Sequence, residues 1–518
     1  MGVPGKEHHA IDIMMSPSAS PAESVQLSSP NGSMKPAPLW KRGLRSMIYH
    51  WLAFSDWLIE WTPFVLVVSY WIVCTAIFVM CNTTAIAVFY YFYMIMNLYV
   101  AVLAAIESFL SMTPMRNAAK LADKVDANGG KFSSSDDDLP TMDMVMVAYL
   151  PNEKDIVIEQ IMYALEELRY PSKKLRITLA YNTPVPIEPI ETQLRDLEKE
   201  YDQLKVIKVP NSKSKADNLN YFFSLPESGA DITGIFDTDH LPHPYNPRWA
   251  AERFLKEKEK VDIVQGRCIV YNTNDCFLAK MIAIEFDKIY AIAHPGRSRL
   301  FGFGLFCGSN GWWRTNVLRG LKMDGSMLTE DIDSALRAYG EGYNAVHDMN
   351  VLSYELAPTS FAAFWKQRMR WTQGWTQASI RHFPLIWTNP PKGERTRNER
   401  VGLVSLLCIR ESSYYLVSQH TCLLLSFIIN DWPHDVPSFV RLIFFRYPLA
   451  EWFLFLTILA LIFTLYFTNR VRSEFTSWKS MTAFSILYTP YLVLQAIMGL
   501  YGHAREIVKY SKWNPTAR

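Results

Sequence analysis

Ile232-Thr233-Gly234-Ile235-Phe236-Asp237-Thr238-Asp239-His240 is a short apolar run closed by two carboxylates one residue apart. An apolar run that ends in charge reads as a buried strand, delivering Asp237 and Asp239 to the carboxyl edge of a sheet, where α/β enzymes bind ligands. Hard oxygen donors at this spacing suit Mg²⁺ or Mn²⁺, which bind through one or two carboxylates plus phosphate oxygens. Two acids at a strand end also suit a solvated turn, so the reading depends on what surrounds them.

Outward from this stretch, strand and helix patterns alternate. Met142–Leu150, Leu175–Ala180, Leu204–Val209 and Val261–Val270 read as strands. A helix from a cap at Asn152 to Leu168, then Glu191–Tyr201, Ala216–Leu225 and Pro247–Lys258, read as helices between them. This alternation predicts an α/β domain with a mostly parallel sheet covered on both faces.

The rest of the chain is organised differently. Of 518 residues, 49% are hydrophobic and 16 are Trp, while 20% are charged, which fits neither a pure membrane bundle nor an ordinary soluble enzyme. A formal charge of +2 gives no reason to propose a nucleic-acid partner. The seven scattered cysteines lack metal-ligand spacing and read as reduced packing residues. Residues 1–39 are rich in Ser, Pro, Met and Ala and read as disordered. Trp40 to Trp61 has the basic and tryptophan content of an interfacial helix.

Phe64–Met80 and Ala85–Ala105 carry no charge and are each about long enough to cross a bilayer, which takes roughly 20 residues. Lys41, Arg42 and Arg45 before them, and Arg116, Lys120 and Lys124 after, place both flanks in the cytoplasm by the positive-inside rule. The sequon Asn82-Thr83-Thr84 would lie tight against the bilayer, where glycosylation is not expected. Ser413–Ile429, Trp452–Phe467 and Ala483–Leu500 are further candidate spans. Arg470, Arg472 and Lys479, and then Arg505, Lys509 and Lys512, mark both sides of the last as cytoplasmic, which conflicts with an odd number of spans. The resulting division is 1–39 disordered, 40–111 interfacial helix and two spans, 112–140 linker, 141–370 catalytic domain, 371–400 amphipathic helix and linker, 401–504 about three spans, and 505–518 tail.

Four more stretches carry candidate chemistry. Lys213-Ser214-Lys215-Ala216 puts ammonium groups at a helix start that could grip a diphosphate, although a solvated basic turn has the same look. Gly308-Ser309-Asn310-Gly311 is a small-residue turn that lets a ligand approach the backbone. Thr329-Glu330-Asp331 opens a helix with Thr329 as N-cap; acids there suit the helix dipole, and a shielded Asp331 suits a general base. Gln367-Arg368-Met369-Arg370-Trp371 offers a guanidinium fork for phosphate and an indole face for a sugar ring. It opens the amphipathic run Trp371–Trp387, which also reads as a membrane-surface helix.

Asp237-Thr238-Asp239, Thr329-Glu330-Asp331 and Gln367 to Trp371, in this order between membrane stretches, resemble the DxD, TED and QxxRW motifs of family 2 glycosyltransferases, which include cellulose, chitin and hyaluronan synthases. The chain looks closest to the filamentous-fungal type 2 members. The resemblance implies a GT-A (Rossmann-like) cytosolic domain between membrane helices, a nucleotide-sugar donor, usually a UDP-sugar, and a divalent cation. It implies Asp237 by the nucleotide, Asp239 on the metal, Glu153 near the nucleotide and Lys215 near the phosphates. Asp331 would be the base, with Gln367, Arg370, Trp371 and Glu330 serving leaving group and acceptor. Asp217 replaces a usual Gly, and Ala180-Tyr181-Asn182 stands where an Asp-Asp pair is common, leaving Asn182 to meet the base. The expected product is a polysaccharide passed outward at a plasma membrane; a glycolipid made without processivity and a non-enzymatic transporter are the rival readings.

Overall fold

The computed structural model describes residues 39–226, 228–256 and 260–509. The segment read as disordered therefore lies almost wholly outside the described residues, as does most of the tail. The chain divides into two units, Met1–Trp57 and Leu58–Arg518. In the first, the helix Leu39–Met80 begins, with Trp51 and Phe54 exposed on it.

The second unit contains an eight-stranded mixed sheet. Its strands are β1 (Met142–Tyr149), β2 (Leu175–Asn182), β3 (Leu204–Lys208), β4 (Ile232–Asp237), β5 (Leu241–Pro242), β6 (Ile263–Val270), β7 (Gly311–Arg314) and β8 (Ala345–Glu355), in the order β3-β2-β1-β4-β7-β6-β8-β5. β3, β2, β1 and β4 are parallel, as the alternation predicts. The mostly parallel expectation needs one correction: β7 runs antiparallel to both β4 and β6, and β5 antiparallel to β8. A four-residue strand and a two-residue strand are too short to leave a period in the sequence.

Successive side chains of a strand point to opposite faces, and β1 shows the result. Met142, Met144 and Met146 enter one buried cluster, while Val145 and Val147 enter the other. Each such side chain contributes about 1.5–3 kcal/mol through burial. The chain order changes direction between β1 and β4, and their carboxyl ends, Val147 and Asp237, are paired neighbours. A crevice at such a switch point is where open α/β sheets hold ligands.

Two local expectations are corrected. Asn152 caps nothing: it lies inside the short helix Leu150–Glu153, and the next helix, Val157–Glu167, starts after Ile156. The QxxRW residues and the amphipathic run are one helix, Phe361–His382, capped by Ser360, which accepts from the Ala363 amide. Among the described residues, four helices are long and apolar enough to cross a membrane: Trp57–Met80, Thr83–Ala127, Ala450–Val471 and Trp478–Ile507. Arg410–Asn430, which contains the candidate Ser413–Ile429, is not among them.

Candidate active site

β4 ends at Asp237, and Asp239 follows in the turn, where the Thr238 hydroxyl donates to the Val147 carbonyl (2.9 Å) and so ties the carboxylates to the end of β1. Beside them is a cavity of about 1110 Å³. Every residue given a site role by the resemblance lines it: Glu153, Asn182, Lys215, Asp237, Asp239, Glu330, Asp331, Gln367, Arg370 and Trp371.

Lys215 opens the helix Lys215–Ser224, whose N-cap Ser214 accepts from the Asp217 amide (3.1 Å). Its ammonium reaches Asp237 Oδ1 at 2.6 Å and the Gly308 carbonyl at 2.7 Å. Burial works against this charge, but Asp237, Glu330 and Asp331 outweigh it and hold the lysine pKa above its ordinary value. Gly308 has φ +85°, and a Cβ there would stand 3.0 Å from Asp331 Oδ2, so glycine serves both the left-handed turn and the close approach. The next residue, Ser309, accepts the Asp237 amide on its hydroxyl (3.1 Å).

Glu330 and Asp331 lie in the first turn of the helix Glu330–Gly340. Thr329 occupies the N-cap position, but its buried hydroxyl caps nothing and has no partner among the described residues. Burial raises the pKa of both carboxyls; Asp331 raises that of Glu330 further, while Lys215 and Arg370 pull both down. A buried carboxylate facing a cavity with a raised pKa is suited to take a proton near neutral pH. Removing the opposing ammonium should make this plainer: Lys215→Gln is expected to move the acid limb of the pH–rate profile to higher pH. An unmoved limb would mean that Lys215 does not feel the titrating carboxyl.

Arg370 donates to the Leu328 carbonyl (3.3 Å), tying the helix Phe361–His382 to the loop before Thr329. The Gln367 Oε1 atom is buried without a partner among the described residues, an acceptor left for a ligand. Trp371 has the Arg368 guanidinium 4.4 Å from its ring centroid, and Arg368 is held by Glu285 (2.6 Å). Gly374, one turn on, sits against Thr329: a Cβ would come within 2.6 Å of the Thr329 hydroxyl. Gly374→Ala should therefore displace the Glu330–Asp331 turn, at a cost of about 1–3 kcal/mol from overpacking. The expected readouts are a lower melting temperature and a fall in kcat of roughly tenfold or more; unchanged kcat would show the contact to be slack.

No motif in the sequence marks the ion pair between His240 Nε2 and Glu355 Oε2 (2.9 Å) on the cavity wall. Burial opposes the imidazolium, but Glu355 raises the His240 pKa. Its only signal in the chain is that His240 directly follows Asp239. The Asn182 amide is already engaged, donating to the Ser212 carbonyl (3.2 Å) and accepting from Asn218 (3.0 Å).

Asp237, Asp239 and His240 each offer a ligand atom, all within 4.8 Å of one another, and so do His240, Cys268 and Glu355. Glu355 occupies His240 Nε2, so the carboxylate pair is the set that fits a hard divalent cation.

The chain belongs to the glycosyl transferase family group 2, whose model matches residues 235–497. It is 26% identical over 248 residues to the probable glycosyltransferase YdaM of Bacillus subtilis, covering 47% of this chain and 57% of that one. It is 28% identical over 290 residues to glucomannan 4-beta-mannosyltransferase 7 of Arabidopsis thaliana, covering 53% and 49%. The chain thus spans about half the length of the curated relatives it matches. Among solved structures, a mannosyltransferase from Pyrobaculum calidifontis, in complex with GDP-Man and Mn2+, aligns at 15% identity and TM-score 0.44 over 71% of this chain and 99% of its own.

Proposed function

We propose that the protein is an inverting hexosyltransferase of GT-A type, which moves sugar from a nucleotide-sugar to a growing polysaccharide at the cytosolic face of a membrane and exports the chain through its own helices. The observation that carries this reading is one cavity lined by a carboxylate pair suited to a cation, basic groups suited to a diphosphate, and a carboxyl of raised pKa with an indole for the acceptor.

In this reading Asp331 takes the proton of an acceptor hydroxyl held against Trp371. The hydroxyl oxygen bonds to the anomeric carbon as the bond from that carbon to the diphosphate oxygen breaks on the opposite side, so configuration inverts. Asp237 and Asp239 would hold Mg²⁺ or Mn²⁺, which would supply positive charge against the diphosphate. Lys215, released from Asp237, joins Gln367 and Arg370 around the departing phosphates, and charge placed in advance where charge develops is the largest catalytic term. Glu153 and Asn182 stand on the nucleoside side.

The test is nucleotide release by detergent-purified protein with Mn²⁺ or Mg²⁺ and a panel of UDP- and GDP-sugars, a mannosyl donor included because of the Arabidopsis relative's name. Release with one donor, lost in Asp331→Asn, and a product that grows in length are expected. A single-sugar lipid product would overturn the polymer, and release equal to the variant's with every donor would overturn the transferase.

A further inference from the structure

We propose that the helix Trp478–Ile507, apolar and long enough to span a bilayer, does not cross it. It lies along the cytosolic leaflet between lipid and the catalytic domain, with both ends on the side of the cavity. The inference rests on the reading above that this domain faces the cytosol.

At 1.5 Å per residue a helix that rose through the bilayer would put Met498 roughly 30 Å from Trp478, beyond the hydrocarbon core. Instead it touches the catalytic domain along its length. Met481 and Phe484 pack with Met281 and Ile284 of the helix Phe277–Lys288. Tyr488 accepts from Lys288 (2.6 Å), and Tyr491 donates to Glu285 (2.6 Å). Met498 is fully buried in one cluster with Cys268 and Val270 of β6 and with Phe364 and Met369. At the far end Glu506 accepts from Gln373 (3.2 Å) and Gln377 (2.8 Å) of the helix Phe361–His382. A spanning course would draw Glu285, Lys288 and Glu506 toward lipid, where charges are costly.

The approach to this helix is held on the same side. Asp287 accepts from the Ser473 amide and the Thr476 hydroxyl (2.9 Å each), and Thr273 donates to the Phe475 carbonyl (3.1 Å). Arg470, Arg472 and Lys479 around its start, and Arg505, Lys509 and Lys512 around its end, then obey one rule. Trp478 (67% exposed), Ile486 (74%), Leu487 (40%) and Leu492 (38%), with Ile507 (72%) at the far end, are the large apolar side chains left for the bilayer.

The crossing it gives up passes to Arg410–Asn430. That helix runs beside the first span, Ser418 to Tyr70 (2.9 Å) and Asn430 to the Val79 carbonyl (3.4 Å), and so reaches the same far side. Its Arg410 and Glu411 stand only at its start. Four crossings leave the tail inside, which removes the parity conflict in the sequence.

The experiment is glycosylation mapping of the full chain in microsomes, with Asn31 and Asn82 replaced by Gln. An acceptor sequon is carried on a flexible insert after His434 in one version and on an extension after Arg518 in another. Modification at 434 and none at the tail is expected. Modification at both would overturn the inference, because the last helix would then cross. Modification at neither would remove the membrane reading and the inference with it. Modification of the tail alone would reverse the sidedness of the catalytic domain yet still leave this helix uncrossed, so the two readings fail separately. An epitope after Arg518 should be digested by protease added outside sealed microsomes; protection together with modification at 434 would overturn the inference.

Discussion

Asp331→Asn is expected to lower sugar transfer by about 10³-fold, within the 10²–10⁴ range that a positioned general base supplies, while the nucleotide still binds. The substitution keeps shape and removes only the ability to take a proton. It should also raise the melting temperature at alkaline pH. Burial raises the pKa of Asp331 in the fold, so the folded state favours its protonated form. The contribution of that carboxyl to stability is present below its unfolded pKa and is lost as pH rises through the raised folded value. An amide carries no such pH-dependent penalty. Loss of activity with gain of stability distinguishes a catalytic base from a residue that only packs. An inactive and less stable variant would instead point to a structural role.

Asp239→Asn is expected to cost roughly 10²–10³-fold, the scale of losing one preorganised electrostatic partner of a developing charge. Its readout need not be turnover. A ligand that binds only the folded state raises the melting temperature with concentration, so Mn²⁺ with a nucleoside diphosphate should stabilise the wild type and stabilise the variant far less. Asp239 is buried at the end of the β4 turn, beside a carboxylate that Lys215 already neutralises. Equal stabilisation of both proteins would place the cation elsewhere.

The parallel half of the sheet was legible because β1, β2 and β4 are mostly apolar runs bounded by polar turns, interrupted by few polar residues such as Asp143 and Arg176. The same run announced Asp237 and Asp239, since burial ends where charge begins. In the other half only β6, read as Val261–Val270, was legible. Gly311–Arg314 reads as the end of a glycine turn, and β8 carries His347, Asp348 and Asn350 beside a register shift opposite Gly266 and Arg267, which breaks the period of two. The His240–Glu355 pair joins residues on elements far apart in the chain, a contact no local pattern encodes. The span conflict arose because hydropathy measures what a helix could enter, not what it rests against: Trp478–Ile507 is apolar enough for lipid, and part of that character serves a protein interface.

Gly374 lets the backbone of the helix that carries Arg370 and Trp371 rest directly on Thr329, with no side chain between them to act as a cushion. The helix that carries Arg370 and Trp371 and the turn that carries Glu330 and Asp331 therefore meet at this backbone contact. In mechanical terms, on the proposed reading, tension on a chain held at Trp371 would load the contact that carries the Glu330–Asp331 turn, and the rate of transfer would then answer to the force with which the product is drawn away.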